Sequence, residues 1–214
     1  MIRVLIADDH QLVREGLRQI LIAADGIEVA AEASTGDEAL ALVKAGDFDL
    51  ALVDMSMPGL AGIALIKRLK LERPGLRILV LSMHGETQYA ARALKAGASG
   101  YLTKDSASEQ LVVAIRKIAA GGLYLTDAAA STLLQAPSNR DSPSHEQLSD
   151  REFEIFRLLA AGQGPTEIAE QLRLSVKTVS THKTHILAKL NLDNAAELVR
   201  YALEHNLLDR IPRE

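Results

Sequence analysis

The sequence of 214 residues contains no cysteine. Disulfide bonds and thiolate metal sites are therefore excluded, which is compatible with a reducing compartment. No apolar run approaches the roughly 18 residues that would cross a bilayer. The N-terminal run MIRVLIADD carries two acids by position 9 and does not resemble a signal peptide. We therefore expect a cytoplasmic protein that does not bind membranes.

Aromatic side chains are also scarce, since they make up 3% of the residues and tryptophan is absent. A surface on which the bases of single-stranded nucleic acids could stack is therefore not expected. The formal net charge of −4 gives no overall sign of a nucleic-acid partner, so the local distribution of charge has to decide. The length suffices for two small domains.

The first 105 residues alternate five times between short apolar runs and longer helical patterns. Such alternation predicts an α/β domain in which helices cover both faces of a parallel sheet. Glycines and a Pro-Gly pair fall where the predicted helices should end. The predicted strands are 3–7, 27–33, 50–53, 77–81 and 100–103, and the predicted helices are 11–24, 36–45, 60–71, 86–96 and 107–120.

After Leu125 the pattern changes to helices alone, and the chain is expected to form a second domain. A Ser-x-x-Glu capping box at Ser149 predicts one helix, and Ser175 can cap a longer one. Pro165 and Asn194 mark the starts of two further helices. The predicted domains are an α/β domain at 1–123, a linker at 124–146 with a short helix at 127–136, and an all-α four-helix domain at 147–214.

The run LVDMSMPG (52–59) places Asp54 at the end of the third predicted strand. In a flavodoxin-like (βα)5 sheet with the order 2-1-3-4-5, ligands bind between the first and third strands, at their carboxyl ends. The first strand ends in Asp8 and Asp9, so three carboxylates should meet there. Such like charges raise one another's pKa unless a hard cation such as Mg²⁺ joins them.

Two more strand ends supply complementary groups, the Ser82 hydroxyl and the Lys104 ammonium. Carboxylates form acyl phosphates in known chemistry, and the resulting dianion would need a metal and an ammonium beside it. Each of these residues alone has an ordinary explanation, such as a helix cap or a surface lysine. Their common position at the strand ends of one sheet favours a site for phosphate chemistry.

The second predicted domain carries a local concentration of positive charge. Residues 171–192 contain no acid but include Arg173, Lys177, Lys183 and Lys189. This pattern is typical of a surface that binds the DNA phosphate backbone, although a solvated helix face would have the same composition. The segment also has the form helix, short turn, helix, with apolar residues spaced to pack inward at Ile168, Leu172, Leu174, Val179, Ile186 and Leu190.

Several motifs resemble those of known bacterial regulators, and the resemblance covers nearly the whole chain. The N-terminal motifs resemble a CheY-like receiver domain of two-component systems. The C-terminal motifs resemble the LuxR-type helix-turn-helix domain of NarL/FixJ response regulators. The matching runs are IADDH (6–10), VDMSMPG (53–59), LSMHGE (81–86), ALKAGASGYLTKD (93–105), EIAEQL (167–172) and LSVKTVSTHKTHILAKL (174–190).

The receiver resemblance implies that Asp54 accepts a phosphoryl group from a histidine kinase. Asp9, Asp54 and the backbone carbonyl of Ser56 would hold Mg²⁺, for which Mn²⁺ can substitute, while Asp8 would act mainly through water. Such a chain is not an enzyme in the ordinary sense, because its chemistry is limited to self-phosphorylation and slow autodephosphorylation.

The same resemblance implies that Ser82 and Lys104 hold the phosphoryl oxygens and that Tyr101 turns inward on activation. Lys104 should contribute little to metal affinity, because an ammonium and a metal ion do not attract each other. Many receivers have a proline in a cis peptide after this lysine, whereas Asp105 follows it here. The sequence therefore does not decide the conformation of the peptide bond between Lys104 and Asp105.

The helix-turn-helix resemblance implies binding to double-stranded DNA. Ser180, Thr181 and Thr184 would approach base edges, whereas Lys177, Thr178 and Lys183 would lie near phosphates. His182 and His185 have a helical spacing that could hold zinc, but no third ligand is apparent.

These features together predict a transcription regulator that is controlled by phosphorylation. Its expected partners are a histidine kinase, operator DNA and a second copy of the chain after phosphorylation, with RNA polymerase as a candidate. One alternative is a Mg²⁺-dependent phosphatase, but such enzymes usually carry an acid two residues after the nucleophile, where this chain has Ser56. Another is a DNA-binding regulator whose receiver does not respond to phosphate. A nucleotide-binding domain lacks support because no glycine-rich turn follows the first strand.

Overall fold

The computed structural model describes residues 1–57, 59–82, 87–125, 144–205 and 207. The chain divides into two compact units, Met1–Leu133 and Leu134–Glu214. Among the described residues, no helix is both long enough and apolar enough to span a bilayer.

The first unit contains a parallel sheet of five strands in the order β2-β1-β3-β4-β5, which confirms the predicted flavodoxin-like arrangement. The observed ends of the strands differ from the predicted ends by one residue at most. The strands are β1 (Ile2–Ala7), β2 (Ile27–Ala33), β3 (Leu50–Asp54), β4 (Arg77–Ser82) and β5 (Gly100–Thr103).

Five helices connect and follow these strands: α1 (Gln11–Ile22), α2 (Gly36–Ala45), α3 (Gly62–Glu72), α4 (Thr87–Lys95) and α5 (Lys104–Ala119). Helix α5 begins three residues earlier than the predicted start at 107. The Thr103 side chain caps it by accepting a hydrogen bond from the Ser106 amide, and Asp105 lies in the first turn, where the helix dipole favours an acid. Strand β5 therefore passes directly into α5, and Lys104 stands at the junction.

The central strands are apolar along their length because helices cover both faces of the sheet. Every residue of β3 is buried, and so are five of the six residues of β4. Side chains from β1, β3 and β4 pack with those of α1 and α5 in one hydrophobic core. This core fixes the positions of the strand ends, where the polar residues lie.

The second unit is helical, as predicted. Its elements are a short 3-10 helix (Ser144–Gln147) and the helices α6 (Asp150–Ala160), α7 (Pro165–Gln171), α8 (Val176–Leu190) and α9 (Ala195–Glu204). The predicted capping box is present, because Ser149 accepts from the Glu152 amide while Glu152 accepts from the Ser149 amide. Arg173 has φ 52° in the turn between α7 and α8, and Asn191 ends α8 with φ 54°.

Two parts of the predicted linker have structure of their own. Tyr124 pairs with Gly100 beside β5, and its amide donates to the Ser99 carbonyl at 3.1 Å. At the other end, His145 in the 3-10 helix is buried, and its Nδ1 lies 2.9 Å from the Tyr201 hydroxyl. The predicted short helix at 127–136 lies outside the described residues, and the domain boundaries remain predictions.

Candidate metal centre and candidate nucleic-acid interface

The carboxyl ends of β1 and β3 bring the predicted acidic residues together. These strands are neighbours, with Ala7 paired to Val53, so Asp8 and Asp54 leave the sheet side by side. Both of these side chains are fully buried, whereas the Asp9 side chain is 28% exposed. Ligand atoms of Asp8, Asp9, His10 and Asp54 all lie within 4.8 Å of one another. We call these four residues the acidic cluster.

Lys104 joins the acidic cluster from the end of β5. Its ammonium nitrogen lies 2.6 Å from Asp8 Oδ2 and 3.0 Å from Asp54 Oδ2, and the side chain is only 8% exposed. Burial alone would lower the pKa of Lys104, but its hydrogen bonds to Asp8 and Asp54 outweigh this effect and raise the pKa. Lys104 therefore stays charged and links the two buried carboxylates.

The same surroundings favour the neutral form of Asp54, because the pKa of this buried acid is also raised. Burial raises the pKa of Asp54, and the nearby Asp8 carboxylate adds to this effect, although the Lys104 ammonium opposes it. The buried carboxylate is thus less stable as an anion than an exposed aspartate would be. A further positive charge at this position would relieve the destabilisation.

The oxygen atoms of the acidic cluster fit a divalent cation. One oxygen of Asp8 accepts from the His10 amide at 2.8 Å, and one oxygen of Asp54 accepts from the Ser56 amide at 3.3 Å. The other oxygen of each carboxylate is buried, and among the described residues only Lys104 lies against it. Lys104 faces two of the carboxylates and Asp9 adds a third, so the site keeps excess negative charge, and an oxygen-rich donor set is what Mg²⁺ prefers.

Ser82 and Tyr101 lie on the strands that complete this edge of the sheet. Ser82 ends β4, pairs with Thr103 of β5 and is 4% exposed. Tyr101 in β5 is 2% exposed, so its ring is buried. Among the described residues no peptide bond is cis, so Lys104 and Asp105 are joined in the trans form. The roles of Ser82 and Tyr101 remain predictions.

His10 was not among the residues predicted for the site. Its Nδ1 lies 2.9 Å from Asp9 Oδ1 and 3.4 Å from Asp8 Oδ1, while the side chain is 64% exposed. The histidine directly after two strand-end acids in IADDH was the signal that could have identified it. Sequence alone does not show whether such a side chain turns toward the acids or toward solvent.

In the second unit, α8 exposes the face that was predicted to contact DNA. Lys177, Ser180, Thr181 and Thr184 are exposed, whereas Thr178 and Lys183 are partly buried. Apolar residues on the opposite face of α8 pack against α6 and α7. Of the six residues predicted to pack inward, five are buried and Leu174 is partly buried.

The charge of Lys189, one of the predicted basic residues, is satisfied within the domain. Its nitrogen lies 2.6 Å from Glu152 Oε2, and Glu152 also accepts from the Ser149 amide at 2.8 Å. Burial would raise the pKa of Glu152, but the hydrogen bonds from Lys189 and Ser149 lower it to about 2. Lys189 therefore joins α8 to the start of α6 and offers little charge to a ligand.

Glu152→Gln should lower the free energy of unfolding of the second unit by roughly 2 kcal/mol at neutral pH, allowing for solvent screening of the partly exposed Lys189. Because the pKa of Glu152 is lowered on folding, this stabilisation is complete above the unfolded value of 4.5 and is lost as pH falls through about 2. Urea unfolding of the full chain, followed by NMR signals from α6 and α8, would measure the difference at several pH values.

Glu197→Gln is the matched control, because Glu197 accepts from the Asp193 amide at the start of α9 at 2.8 Å. It occupies a similar capping position, and no ion pair to a lysine is recorded for it in the described part of the chain. The stabilising role of the Lys189–Glu152 pair would be contradicted if both variants lost the same free energy of unfolding. It would also be contradicted if the loss in Glu152→Gln did not become smaller at acidic pH.

Comparisons with known proteins agree with this division of the chain. A model of the response regulator receiver domain matches residues 4–116, and a model of the luxR family of bacterial regulatory proteins matches residues 146–202. Response regulator UvrY of Escherichia coli strain K12 is 38% identical over 97% of this chain and 96% of its own. Oxygen regulatory protein NreC of Staphylococcus carnosus is 39% identical over 97% of this chain and 99% of its own.

Solved structures of RcsB, including two from Salmonella typhimurium, are also similar. One has a TM-score of 0.73 with 32% identity, covering 95% of this chain and 97% of that chain. Another, of RcsB bound to promoter rprA in the presence of the phosphomimetic BeF3⁻, has a TM-score of 0.69 with 29% identity, covering 94% of this chain and 98% of that chain. A third describes two RcsB dimers bound to two parallel DNAs, with a TM-score of 0.60, 30% identity, and coverage of 94% of this chain and 98% of that chain.

Proposed function

Because the chain belongs to the NarL/FixJ family of two-component response regulators, we propose that a histidine kinase phosphorylates it on Asp54 and thereby controls its binding to DNA. The family membership confirms the resemblance seen in the motifs, and it makes the protein a regulator of transcription with a receiver domain and a luxR-type DNA-binding domain. The convergence of Asp8, Asp9, Asp54 and Lys104 at one edge of the sheet carries the proposal.

Mg²⁺ is the proposed cofactor, and Mn²⁺ can substitute for it. Asp8, Asp9 and Asp54 would hold the ion together with the backbone carbonyl of Ser56. When bound, the ion supplies the positive charge that offsets the cluster of carboxylates and the incoming phosphoryl group. The buried carboxylate oxygens that only Lys104 approaches, among the described residues, support this assignment.

Asp54 is the proposed nucleophile. One of its carboxylate oxygens forms the new bond to phosphorus, while the bond from phosphorus to the kinase histidine breaks. Lys104 already lies 3.0 Å from Asp54 Oδ2, so its ammonium would stay close to the phosphoryl oxygens. Ser82, from the end of β4, would donate its hydroxyl to them. No separate substrate is turned over, apart from slow hydrolysis of the acyl phosphate.

Phosphorylation would shift the receiver between two existing states and so change dimerisation and DNA binding. The proposed DNA-binding surface is the exposed face of α8, with Lys177, Thr178 and Lys183 near phosphates and Ser180, Thr181 and Thr184 near bases. RcsB bound to promoter DNA with a phosphomimetic, and RcsB dimers on DNA, support a DNA-bound dimer by similarity. RNA polymerase is a further candidate partner.

Lys177→Ala and Lys183→Ala should each weaken binding to any duplex and lower the salt dependence by about one unit in the log–log slope. The physical reason is that each lysine at a phosphate releases about one counterion when the complex forms. Fluorescence anisotropy titrations of the phosphorylated full chain, on a selected duplex and a random duplex at several salt concentrations, would measure both slopes.

Lys189→Met is the matched control on the same helix, because Lys189 carries the same charge but is paired with Glu152. Replacing Lys189 should leave the salt dependence of DNA binding unchanged, even though it lowers the free energy of unfolding of the domain. A slope that falls as much for Lys189→Met as for Lys183→Ala would contradict the proposed division of the helix into a DNA-facing side and an internal side.

A further inference from the structure

Two threonine hydroxyl groups on the exposed face of α8 already donate hydrogen bonds to the backbone of the same helix. Thr181 Oγ1 donates to the Lys177 carbonyl at 2.9 Å, and Thr184 Oγ1 donates to the Ser180 carbonyl at 3.1 Å. Both residues are exposed, so burial is not what turns the hydroxyls toward the backbone. Each threonine has used its only hydroxyl proton.

This arrangement sets what each threonine can offer to a ligand. A threonine hydroxyl that bonds to the carbonyl four residues earlier occupies one of the two χ1 rotamers that a helix allows. The γ-methyl group and the lone pairs of the hydroxyl oxygen are then the groups available for contact. The side chain can therefore touch an apolar group or accept a hydrogen bond, but it cannot donate one.

Ser180, which lies between the two lysines on the same face, is different. Its side-chain hydroxyl makes no hydrogen bond to any residue in the part of the chain that the structure describes. Ser180 can therefore still donate or accept. On this face of α8, Ser180 is therefore suited to polar contacts, whereas Thr181 and Thr184 are suited to apolar contacts.

The bases of DNA differ in the groups that could meet such threonines. In the major groove thymine presents a C5 methyl, adenine and cytosine present amino donors, and guanine presents only acceptors at N7 and O6. A side chain without a free proton gains nothing from guanine. A methyl group packs favourably on the thymine methyl, which buries apolar surface on both sides.

We propose that Thr181 and Thr184 recognise thymine methyl groups, so that the DNA half-site of this regulator has A·T pairs opposite these two residues. The inference rests on the proposed binding of α8 in the major groove. Residues three apart on a helix have Cβ atoms about 5–6 Å from each other, so the two thymines should lie within about two base steps.

The experiment begins with selection of a duplex from a random pool by the full-length wild-type chain, phosphorylated with acetyl phosphate. Selected sites should be A·T-rich at two nearby positions of each half-site. Deoxyuridine then replaces single thymines, which removes only the C5 methyl. Loss of one methyl contact should weaken binding about four-fold.

Two variants of Thr181 separate the methyl from the hydroxyl. Thr181→Val keeps the shape and the methyl, and should bind the selected duplex within about two-fold of wild type. Thr181→Ser keeps the hydroxyl and loses the methyl, and should lose about four-fold on the thymine duplex. On the deoxyuridine duplex Thr181→Ser should lose nothing more, because both changes remove the same contact. The same pair at Thr184 repeats the test at the second position.

The outcomes distinguish this inference from the function on which it rests. Methyl recognition is supported if Thr181→Val binds the selected duplex like wild type. It also requires that Thr181→Ser and deoxyuridine each weaken binding by the same factor, and that combining them weakens it no further. A loss for Thr181→Val without a loss for Thr181→Ser, and with no effect of deoxyuridine, overturns it, because the hydroxyl would then contact the base. Guanine at both positions also overturns it. If the phosphorylated wild-type chain prefers no duplex over random DNA, the proposed function fails and the inference fails with it.

Discussion

Asp54→Asn should abolish phosphorylation completely. The variant keeps the shape of the side chain but removes the nucleophilic carboxylate at the end of β3. Incubation of the wild-type chain with acetyl phosphate and Mg²⁺ should add the mass of one phosphoryl group, and removal of Mg²⁺ by EDTA should prevent this. Intact-mass spectrometry of both proteins measures the result directly.

The variant should remain folded, because Lys104 keeps Asp8 as an ionic partner at 2.6 Å. Circular dichroism would verify this. Asp105→Asn serves as the control, since Asp105 is exposed, lies next to Lys104 in sequence and is outside the acidic cluster. It should be phosphorylated like wild type. Label that persisted in Asp54→Asn, on Asp8 or Asp9, would show that another carboxylate is the acceptor.

Lys104→Met should destabilise the metal-free receiver by about 3 kcal/mol, because it leaves two buried carboxylates without the cation that faces them. Mg²⁺ should restore more stability to the variant than to wild type. The ammonium lies against Asp8 Oδ2 and Asp54 Oδ2, on two of the carboxylates that would hold the metal, so the two cations would compete for these carboxylates. Charge alone predicts little effect on metal affinity, whereas the position of the ammonium against two of the site's carboxylates predicts that its removal raises the affinity.

Calorimetric melting of the full chain with EDTA and with Mg²⁺ would measure the loss of receiver stability and its recovery with the metal. Both are measured on the unfolding transition that shifts when Mg²⁺ is added. A calorimetric titration would give the Mg²⁺ affinity, which should rise several-fold. Lys95→Met is the control, because Lys95 is an exposed lysine of α4 and should change neither quantity. Unchanged stability in EDTA, or weaker Mg²⁺ binding by Lys104→Met, would contradict the proposed competition.

The sequence by itself predicted the elements of both domains and the set of residues at the sheet edge. Short, near-continuous apolar runs that alternate with helical patterns favour buried strands of a covered parallel sheet, and the residue after each run therefore lies at a common edge. The bounds of β2 and β5 were predicted without error, although β2 contains two glutamates and most of its residues are only partly buried. The start of α5 was wrong because the polar run Lys104–Ser106 has no apolar periodicity, so only the cap at Thr103 reveals it.

The partners of individual side chains were decided only by the tertiary structure. Lys104 binds Asp8 as well as Asp54, His10 turns toward the acids, and Lys189 pairs with Glu152 from 37 residues away. Long polar side chains have many rotamers of similar energy, so local sequence does not select among them. The selection comes from the packing of distant elements, which places an opposite charge within reach of one rotamer and buries both groups together.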